Sequence, residues 1–512
     1  MKKIVQFAVL FIWLAACQKK QENRADYSEQ YRPQFHFSPQ KGWMNDPNGL
    51  IYHAGEYHLF YQYYPDSTVW GPMHWGHAVS TDLTHWQHLP IALYPDSLGY
   101  IFSGSVVLDS ANTTGFGKDN EAPLVAVFTY HNMEWEKAGR KDRESQGIAY
   151  SLDKGRTWTK YTNNPVLKNQ GDVDFRDPKV FWHAPTKRWI MPLATGDFLQ
   201  IFTSTNLKSW EKASEFGKNE GAHGGVWECP DLFAITTPAG IKKWVLIQNM
   251  GRGAVNGGSG TQYFVGSFDG KIFKNDNPPT QTLWLDYGAD NYAGVTWLNA
   301  PNNRRLFIGW MSNWDDYANK TPTHPWRSAM TVPRELSLQK TAEGFRLFQM
   351  PVTELEKLRQ GEALTLENKN IDSTLKISAE SVQKEVLVEF DLSKTTATQL
   401  GFVLANAKNE RVEIGYDHLK KQLYLDRTQA GKSDFSTKFA KRHTAPYVAG
   451  SRLVVRALID NSSVEVFVDN GRIAFTDLFF PNQDFTQLTL FAKGGSAHLA
   501  QVKVYELRSI WQ

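Results

Sequence analysis

The sequence predicts an all-β protein in which a five-bladed β-propeller is followed by a C-terminal β-sandwich. Between residues 50 and 340, short alternating apolar segments are broken by Gly, Asn, Asp and Pro, and no long stretch keeps a helical period. A degenerate motif recurs four times within this region, as expected of repeated blades. Strands of a different style return after residue 360, which indicates a second domain.

Length and composition narrow the class of protein. A chain of 512 residues is too long for one compact core, so a large domain with a smaller companion is expected. The 56 Lys and Arg nearly balance the 53 Asp and Glu, and no long basic run occurs after the first thirty residues, so nucleic acid is not an expected partner. Aromatic residues make up 13% of the chain, which suits both sugar stacking and an all-β core.

The N-terminus has the pattern of a bacterial export signal. Two lysines precede a short apolar run that ends in L-A-A-C, which resembles a lipobox. We therefore predict a lipoprotein signal peptide over residues 1–17, lipidation of Cys17 and a flexible tether over residues 18–30. The protein would be exported and lipid-anchored to a bacterial membrane, taken to be the outer membrane, on its periplasmic or its cell-surface face. An ordinary signal peptide cut near the alanines is the alternative.

A repeated motif supports the propeller, which we assign to residues 31–348. Each copy is a Ser, any residue, an Asp or Asn, and a short turn that closes on an aromatic residue. The four copies are S-T-D-L-T-H-W at Ser80, S-L-D-K-G-R-T-W at Ser151, S-T-N-L-K-S-W at Ser204 and S-F-D-G-K-I-F at Ser267. Their spacings suit four-stranded blades with insertions, and the unmarked sequence to about residue 345 leaves room for a fifth blade.

A short helical pattern separates the propeller from the second domain. Val352, Leu355 and Leu358 recur at three-residue spacing, so residues 349–360 are predicted to form a linker. Alternating strands such as V-L-V-E-F-D-L follow, and an Asn-Gly pair at 470–471 between two alternating runs predicts a β-hairpin. Residues 361–512 are therefore assigned to a β-sandwich.

Three acidic residues have surroundings that set them apart. They are Asp46 in W-M-N-D-P-N-G, Asp177 in D-F-R-D-P-K-V-F and Glu228 in G-G-V-W-E-C-P-D-L-F. Because a propeller gathers its inner strands around one axis, we expect the three carboxylates to converge there from successive blades. Each has a structural alternative: a turn cap for Asp46, a surface ion pair or turn cap for Asp177, and a core ion pair for Glu228. The apolar neighbours of Glu228 favour a raised pKa, as a proton donor requires.

The residues around these acids resemble those of family 32 glycoside hydrolases, the invertases, inulinases and levanases. The resemblance runs from about Tyr31 to the C-terminus and is strongest to secreted bacterial levanases of the exo-acting type. It rests on W-M-N-D-P-N-G together with W-G-P-M-H-W-G-H-A-V-S, F-S-G-S, F-R-D-P-K-V, H-G-G-V-W-E-C-P-D-L, G-W-M-S-N-W, P-W-R-S-A-M and R-A-L-I-D-N-S-S-V-E-V-F. It implies a five-bladed propeller followed by a β-sandwich, as derived above.

The resemblance also implies roles for the acidic residues. Asp46 is expected to be the nucleophile that attacks the anomeric carbon of a fructosyl unit, and Glu228 the general acid that then becomes the general base. Net retention of configuration would follow from these two displacements. Asp177 is expected to stabilise the transition state, and Arg176 to orient that carboxylate and to bond sugar oxygens.

Further positions match residues that line the terminal-fructose pocket in the family. They are Asn45, Gln62, Trp70, Phe102, Ser103 and Trp310. Core packing or a turn bond is the alternative for each, and for the two tryptophans it is nearly as strong. Cys229 is interpreted as a small buried neighbour of the acid, and as one of only two cysteines it predicts no intrachain disulfide. No metal site and no cofactor are predicted.

The predicted function is that of a retaining glycoside hydrolase acting on β-fructofuranosyl linkages. Candidate substrates are levan, inulin, fructo-oligosaccharides and sucrose, with exo action that releases fructose. Endo action is an open alternative, because endo-acting relatives share all three acids. Two different classes of protein also fit the pattern: a non-catalytic fructan-binding lipoprotein, and an inverting five-bladed glycosidase acting on an arabinosyl unit. The intact acids oppose the first of these, and F-S-G-S with W-E-C-P opposes the second.

Overall fold

The computed structural model describes residues 27–119, 121–315 and 317–511. Within these ranges five largely antiparallel sheets form a propeller and two six-stranded sheets form a sandwich, which confirms the predicted fold class. The helices of the described residues are short: α1 (Met133–Lys137) and 3-10 turns at Ala184–Thr186, Pro301–Asn303, Thr353–Leu358 and Leu392–Lys394. No helix in the described part of the chain has the length and apolar character needed to span a bilayer.

Blades one to three each run outward from an inner strand near the axis. Blade one has β1 (Gly42–His53), β2 (Glu56–Tyr64), β3 (His74–Ser80) and β4 (Gln87–Leu93). Blade two has β5 (Tyr100–Leu108), β6 (Leu124–His131), β7 (Glu144–Ser151), β8 (Thr159–Lys160) and β9 (Leu167–Lys168). Blade three has β10 (Phe175–Arg176), β11 (Phe181–His183), β12 (Arg188–Thr195), β13 (Phe198–Ser204) and β14 (Glu211–Phe216).

Blades four and five complete the ring. Blade four has β15 (Trp227–Thr236), β16 (Lys242–Met250), β17 (Gly260–Phe268), β18 (Phe273–Asn275) and β19 (Leu283–Trp284). Blade five spans β20 (Tyr292–Thr296), β21 (Arg305–Met311), β22 (Trp326–Arg327), β23 (Ala329–Met330), β24 (Arg334–Thr341) and β25 (Gly344–Pro351). Of these, β22 leaves blade five and pairs in parallel with β1 of blade one, so the first blade is completed by a late segment of the propeller.

The repeated motif marks the same turn in four blades. Ser80, Ser151 and Ser204 end the third strands β3, β7 and β13, and Ser267 lies one residue before the end of the third strand β17. In the first three copies the Asp or Asn two residues later accepts backbone N–H groups of the turn, and in the fourth Asp269 does so. These bonds satisfy donors that the tight turn would otherwise leave unpaired. Blade five has T-A-E-G at the corresponding turn, which explains why it carries no copy.

The inner strands are irregular where they approach the axis. The pairing register shifts between Met44 and Pro47 in β1, between Ile101 and Gly104 in β5, between Glu228 and Asp231 in β15, and between Tyr292 and Val295 in β20. In blade three the inner strand is split into β10 and β11. A bulge turns side chains away from the regular in-and-out alternation. Every blade therefore has a local distortion at the same end of its inner strand.

The sandwich follows the 3-10 turn Thr353–Leu358. Its strands are β26 (Arg359–Ile371), β27 (Thr374–Ile377), β28 (Lys384–Asp391), β29 (Gln399–Ala405), β30 (Arg411–Asp417), β31 (Gln422–Gln429), β32 (Arg442–Pro446), β33 (Arg452–Ile459), β34 (Ser463–Val468), β35 (Ile473–Leu478), β36 (Gln487–Lys493) and β37 (Ala497–Leu507). One sheet has the order β26-β37-β28-β33-β34-β35 and the other β27-β36-β29-β30-β31-β32. Alternate residues of both sheets fill the core between them.

The predicted hairpin at residues 470–471 is confirmed. It joins β34 to β35, and Asn470 and Gly471 both have positive φ, as a tight hairpin turn requires. A Cβ on Gly471 would lie 1.8 Å from the carbonyl oxygen of Gln349, so only glycine lets this hairpin approach blade five so closely. The backbone N–H of Gln349 donates to the carbonyl oxygen of Gly471 at 3.0 Å.

A buried set of charged side chains joins the two domains. We call His36, Asp286, Arg334, Asp460 and Glu465 the interface network. The ring nitrogens of His36 lie 2.7 Å from Asp460 Oδ2 and 2.9 Å from Glu465 Oε1. Arg334 donates through Nε to Glu465 Oε2 at 3.0 Å and through Nη1 to Asp286 Oδ2 at 3.1 Å.

The first described residues differ from the tether predicted over residues 18–30. Tyr27 is only 8% exposed and stacks on Trp511 with ring centroids 3.9 Å apart. Its hydroxyl lies 3.0 Å from Nε2 of His88 on β4, and Arg32 lies over its ring. Tyr27 is therefore packed, because it finds an aromatic partner near the C-terminus that the tether's polar composition did not indicate, whereas Ser28 and Gln30 are exposed. The predicted signal peptide and Cys17 lie outside the described residues.

Candidate active site

A polar cavity of about 250 Å³ lies where the distorted ends of the inner strands meet. It is lined by Asn45, Asp46, Gln62, Trp70, Phe102, Ser103, His131, Glu136, Arg143, Asp174, Arg176, Asp177, Glu228 and Trp314. All three acids singled out from the sequence are in this set. The volume is below the roughly 300–1,000 Å³ typical of pockets for drug-sized ligands, so the cavity suits a single sugar ring.

Asp46 lies at the bulge of β1 and is held as a hydrogen-bond acceptor. Asn45 donates through Nδ2 to Asp46 Oδ1 at 2.8 Å, and Ser103 donates its hydroxyl to Oδ2 at 2.7 Å. Trp43 in turn donates through Nε1 to Asn45 Oδ1 at 2.7 Å, which fixes the Asn45 amide. Both carboxylate oxygens therefore bond side chains from blades one and two. The turn-cap alternative for Asp46 is wrong, because the W-M-N-D-P-N-G segment is strand rather than turn.

Glu228, in β15, is held by one group on each carboxylate oxygen. Arg176 donates to Oε1 through Nε at 3.2 Å and through Nη2 at 3.0 Å, and the hydroxyl of Tyr292 makes a short hydrogen bond to Oε2. Burial raises the pKa of Glu228; Arg176 opposes this and the nearby Asp46 adds to it. Glu228 therefore keeps its proton to a higher pH than an exposed glutamate would.

Asp177 follows β10 with a φ of 62° and is buried beside the other two acids. Its Oδ2 accepts the backbone N–H of Cys229 at 3.0 Å, while its own N–H donates to Thr129 Oγ1 at 3.0 Å. Burial raises its pKa well above the usual value, with Arg176 opposing and the neighbouring carboxylates reinforcing the shift. Since the pKa of Glu228 rises as well, Asp177 and Glu228 both keep their protons to a higher pH than isolated carboxyls would.

Cys229 connects the two aspartates. Its thiol lies 3.5 Å from Asp46 Oδ2 and 3.6 Å from Asp177 Oδ2, and it is buried. Burial and the surrounding carboxylates raise the pKa of Cys229 well above the usual thiol value, so the sulfur remains protonated. Cys229 thus acts as a small neutral donor between Asp46 and Asp177, in agreement with its interpretation as a buried neighbour of the acid.

The prediction that the three acids come from successive blades is wrong. Asp46 belongs to blade one, Asp177 to blade three and Glu228 to blade four. Blade two lies between the first two and contributes Ser103, and blade five contributes Tyr292. The repeats at Ser80 and Ser151 belong to blades one and two, so a whole blade already separates Asp46 from Asp177 in the sequence. All five blades contribute to the site.

Of the residues expected to contact sugar, most line the cavity. Asn45, Gln62, Trp70, Phe102, Ser103 and Arg176 all do. Trp310 does not: it is 0% exposed, and its ring packs against Trp43 at 6.0 Å and Trp314 at 4.9 Å. Trp314, four residues later, lines the cavity instead. Trp310 points into the core between blades five and one, so its packing alternative is the correct one.

Several functional neighbours were missed in the sequence. They are Tyr292, His131, Glu136, Arg143, Glu144, Asp174 and Trp314. Asp174 and Trp314 lie inside the motifs D-F-R-D and G-W-M-S-N-W, from which only other residues were selected as site candidates. These two residues could therefore have been found from the sequence. The other five have no distinctive local sequence. Across the described ranges, no three His, Cys, Asp or Glu side chains are grouped as a metal site.

Comparisons with known proteins agree with this geometry. Models of the N-terminal and C-terminal domains of glycosyl hydrolases family 32 match residues 36–351 and 354–506. The chain is 47% identical to a levanase of Bacillus subtilis over all of its own length and 76% of that protein. It is 40% identical to an extracellular exo-inulinase of Aspergillus niger, over 95% of this chain and 96% of that protein.

A solved structure gives the same result. The crystal structure of exo-inulinase from Aspergillus awamori superposes with a TM-score of 0.89 at 38% identity, covering 95% of this chain and all of that one. The two family matches together span both domains of the described chain. A propeller with its acids at the axis, a trailing sandwich and full-length similarity lead to one conclusion: the chain belongs to glycoside hydrolase family 32.

Proposed function

We propose that this glycoside hydrolase is a retaining exo-β-fructosidase that removes terminal fructose from fructans. The observation that carries the proposal is the pairing, in one small cavity, of Asp46 as a fixed hydrogen-bond acceptor with Glu228 as a partly buried acid of raised pKa. Two carboxyl groups whose environments differ in this way are what a nucleophile and an acid/base require.

In the first step Asp46 attacks the anomeric carbon of the terminal fructosyl unit. The Asn45 amide and the Ser103 hydroxyl hold its carboxylate in one orientation, which lowers the entropic cost of attack. Glu228 gives its proton to the departing oxygen, and a covalent fructosyl-enzyme forms on Asp46. Arg176 then stabilises the carboxylate left on Glu228 through two N–H groups.

In the second step Glu228 takes a proton from water, which attacks the same carbon and releases fructose from Asp46. Two inversions give net retention. Asp177 accepts hydrogen bonds from fructose hydroxyls in both transition states, and these bonds strengthen as positive charge develops on the ring. We assign the remaining contacts with the fructosyl unit to Asn45, Gln62, Trp70, Phe102 and Ser103, because these side chains line the cavity.

Exo action is supported by the cavity and by the relatives. A space of about 250 Å³ holds one ring and not a run of rings. The Aspergillus niger relative is named an exo-inulinase, and the Bacillus subtilis relative is named a levanase. We therefore propose that both inulin and levan are substrates, with outer contacts deciding their ranking.

A time course of products tests the proposal. Purified residues 18–512 are incubated with levan, inulin and sucrose, and products are resolved by chain length, with Asp46→Asn as the inactive control. Fructose alone from the earliest time is the expected result, released as the β-anomer when NMR observes it before mutarotation. An early ladder of oligosaccharides would mean endo cleavage, an initial α-anomer would mean inversion, and binding without any product would support a binding protein.

We further propose that the protein is exported and held on a bacterial membrane by lipid on Cys17, most naturally the outer membrane. The lipobox-like L-A-A-C supports this, and an extracellular name is carried by the Aspergillus niger relative. Metabolic labelling with a tritiated fatty acid should mark the wild-type protein and not Cys17→Ser. The variant should also leave the membrane fraction, and labelling of both proteins would refute lipidation at Cys17.

A further inference from the structure

We propose that Glu144 and His131 are positioning residues that hold Arg176 against Glu228 and so control proton transfer by this acid. The inference rests on the proposed role of Glu228 and extends it to side chains outside the reaction. Neither residue touches the three acids. Both belong to blade two, at the facing ends of β6 and β7, and neither has a local sequence that marks it.

A continuous chain of hydrogen bonds links these residues to the acid. Arg176 contacts Glu228 Oε1 through Nε and Nη2, and its Nη1 donates to Glu144 Oε1 at 3.1 Å. The same oxygen of Glu144 lies 3.0 Å from His131 Nδ1, and His131 Nε2 lies 2.8 Å from Glu136 Oε2. The chain thus runs from the buried acid to Glu136 on α1, whose side chain is 42% exposed.

Burial fixes the inner side chains of this hydrogen-bond chain and strengthens the electrostatic interactions between their charges. The Glu144 side chain is fully buried, and His131 is 5% exposed and stacks on Phe102 with ring centroids 4.3 Å apart. Burial alone would raise the pKa of Glu144, but Arg176 and His131 lower it to about 2, so this carboxylate is ionised throughout the working range. A fixed negative charge therefore lies on the far side of the Arg176 guanidinium from Glu228.

The Arg176 guanidinium is shared between Glu228 on one side and Glu144 with Asp174 on the other. The Nη1 of Arg176 also donates to Asp174 Oδ1 at 2.7 Å, and Arg143 donates to that same oxygen at 2.8 Å. The more Arg176 is neutralised on its Nη1 side, the less it stabilises the ionised form of Glu228. Glu144 thereby favours the protonated acid, and His131 moderates this by offsetting the charge of Glu144.

The direction of the effect depends on every charge that faces these groups. Glu228 is faced by Arg176, Asp46, Asp177, Cys229 and Tyr292. Glu144 is faced by the cations Arg176 and Arg143 and by the ring of His131, whose two nitrogens face the carboxylates of Glu144 and Glu136. Because an ionised carboxylate can only accept, His131 Nδ1 donates to Glu144 and offsets part of its charge. Loss of Glu144 and loss of His131 should therefore act on Glu228 in opposite directions.

The test uses the alkaline limb of kcat/KM, where the free enzyme loses the proton of Glu228. Glu144→Gln keeps the shape and removes the charge, so Arg176 is less neutralised and the limb should move to lower pH by about one unit. His131→Phe keeps a ring against Phe102 but removes the hydrogen bond to Glu144, so the charge of Glu144 is less offset and the limb should move to higher pH. Asp142→Asn is the matched control: it removes an equal charge two residues from Glu144, but from an exposed pair with Arg140, and should leave the limb in place.

A purely structural role predicts a different result. Loss of packing would lower activity at all pH values without moving the limb, or would move it in the same direction in both variants, and either outcome overturns the proposal. If one variant does not fold, the other still decides, because the sign of its shift is predicted independently.

A second measurement separates this inference from the proposed function. Carbon-13 NMR titration of the Glu228 carboxyl, assigned by comparison with Glu228→Gln, reports proton affinity without turnover. If the Glu228 pKa shifts in opposite directions in the two variants while the enzyme releases no fructose, the positioning role is supported and the proposed activity is refuted. If the Glu228 pKa is unchanged in both variants of an active enzyme, only the positioning role is refuted.

Discussion

The active-site pocket and the interface network both bury carboxylates beside cations, yet they displace pKa values in opposite directions. In the network, burial would raise the pKa of Glu465, but Arg334 and His36 outweigh it and lower that pKa. In the pocket, burial raises the pKa of Glu228 in spite of Arg176. The residue types are similar, and Glu465 is fully buried whereas the Glu228 side chain is 21% exposed, so burial alone would give Glu465 the higher pKa of the two.

The difference lies in how many cations serve each carboxylate. In the network, Glu465 receives both an arginine and a histidine, and all three are fully buried. In the pocket, Arg176 is shared by Glu228, Glu144 and Asp174. Where cations fully offset the buried carboxylate charge, as in the network, the carboxylate stays ionised and its role is structural. Where one arginine is shared by several carboxylates, as in the pocket, a carboxyl group keeps its proton, which is what acid catalysis needs.

The largest effect should come from removing the pocket's fixed acceptor. Asp46→Asn keeps the side-chain shape and eliminates the nucleophile, so turnover on levan and inulin should fall by at least about 10⁴-fold. Circular dichroism and the midpoint of thermal unfolding should match the wild type. Appreciable hydrolysis by the folded variant would remove Asp46 from the nucleophilic role.

A smaller and substrate-dependent loss should follow from removing the proton. Glu228→Gln should slow hydrolysis of natural fructans by about 10²–10⁴-fold. A fructoside with a good leaving group should lose much less in its first step, since that oxygen departs without protonation. Burst kinetics on the activated substrate would measure that step, and equal losses on both substrates would contradict the assignment of Glu228 as the acid.

The network should respond in stability and not in chemistry. Arg334→Met leaves Glu465 and Asp286 buried without their arginine, and the free energy of unfolding should fall by about 3–5 kcal/mol. Urea titration measures it, and kcat of the folded fraction should stay unchanged. Arg472→Met is a matched control, because that arginine forms a half-exposed pair with Glu343 and should cost below about 1 kcal/mol. A similar loss of unfolding free energy in both variants would mean that the buried ion pairs of Arg334 contribute no more to stability than an exposed pair.

The smallest effect is a pH dependence of stability. Asp460 and Glu465 overcome burial and raise the pKa of His36 from 6.5 to about 9. A raised pKa stabilises the fold fully below pH 6.5, and this contribution is lost as the pH rises through about 9. The loss should amount to about 3 kcal/mol. Unfolding midpoints measured from pH 6 to 10 should fall in the wild type and change less in His36→Gln. If the midpoint depends on pH equally in both proteins, His36 is not the cause.

Local sequence was sufficient to find the acids and the architecture. Asp46, Asp177 and Glu228 each lie in a run of residues that strands and turns alone do not require, and the repeated turns gave the blade count correctly. Both are short-range signals, because a turn needs its Asp or Asn two residues after its Ser. The motifs therefore survive in the sequence even where the blades have diverged.

The supporting residues could not be found in this way. Tyr292 lies on the inner strand β20 and Glu144 begins β7, the third strand of blade two, and both reach the site only because the blades converge on one axis. Trp310 lies within β21 and Trp314 lies three residues beyond the end of that strand, so the path of the chain after β21 decides which indole reaches the cavity. Pairing over long sequence distances creates both features, so no window of neighbouring residues contains them.

The pairing of β22 with β1 has a consequence for the order of events during synthesis. Gly42 pairs with Trp326, so the strand that carries Asp46 lacks its parallel neighbour until nearly the whole propeller has been made. At about 5–20 residues per second, this delay on the ribosome is roughly 15–60 s. A growing chain thus holds Asp46, the proposed nucleophile, in an unfinished blade, and the site is complete only when the last blade has joined the first.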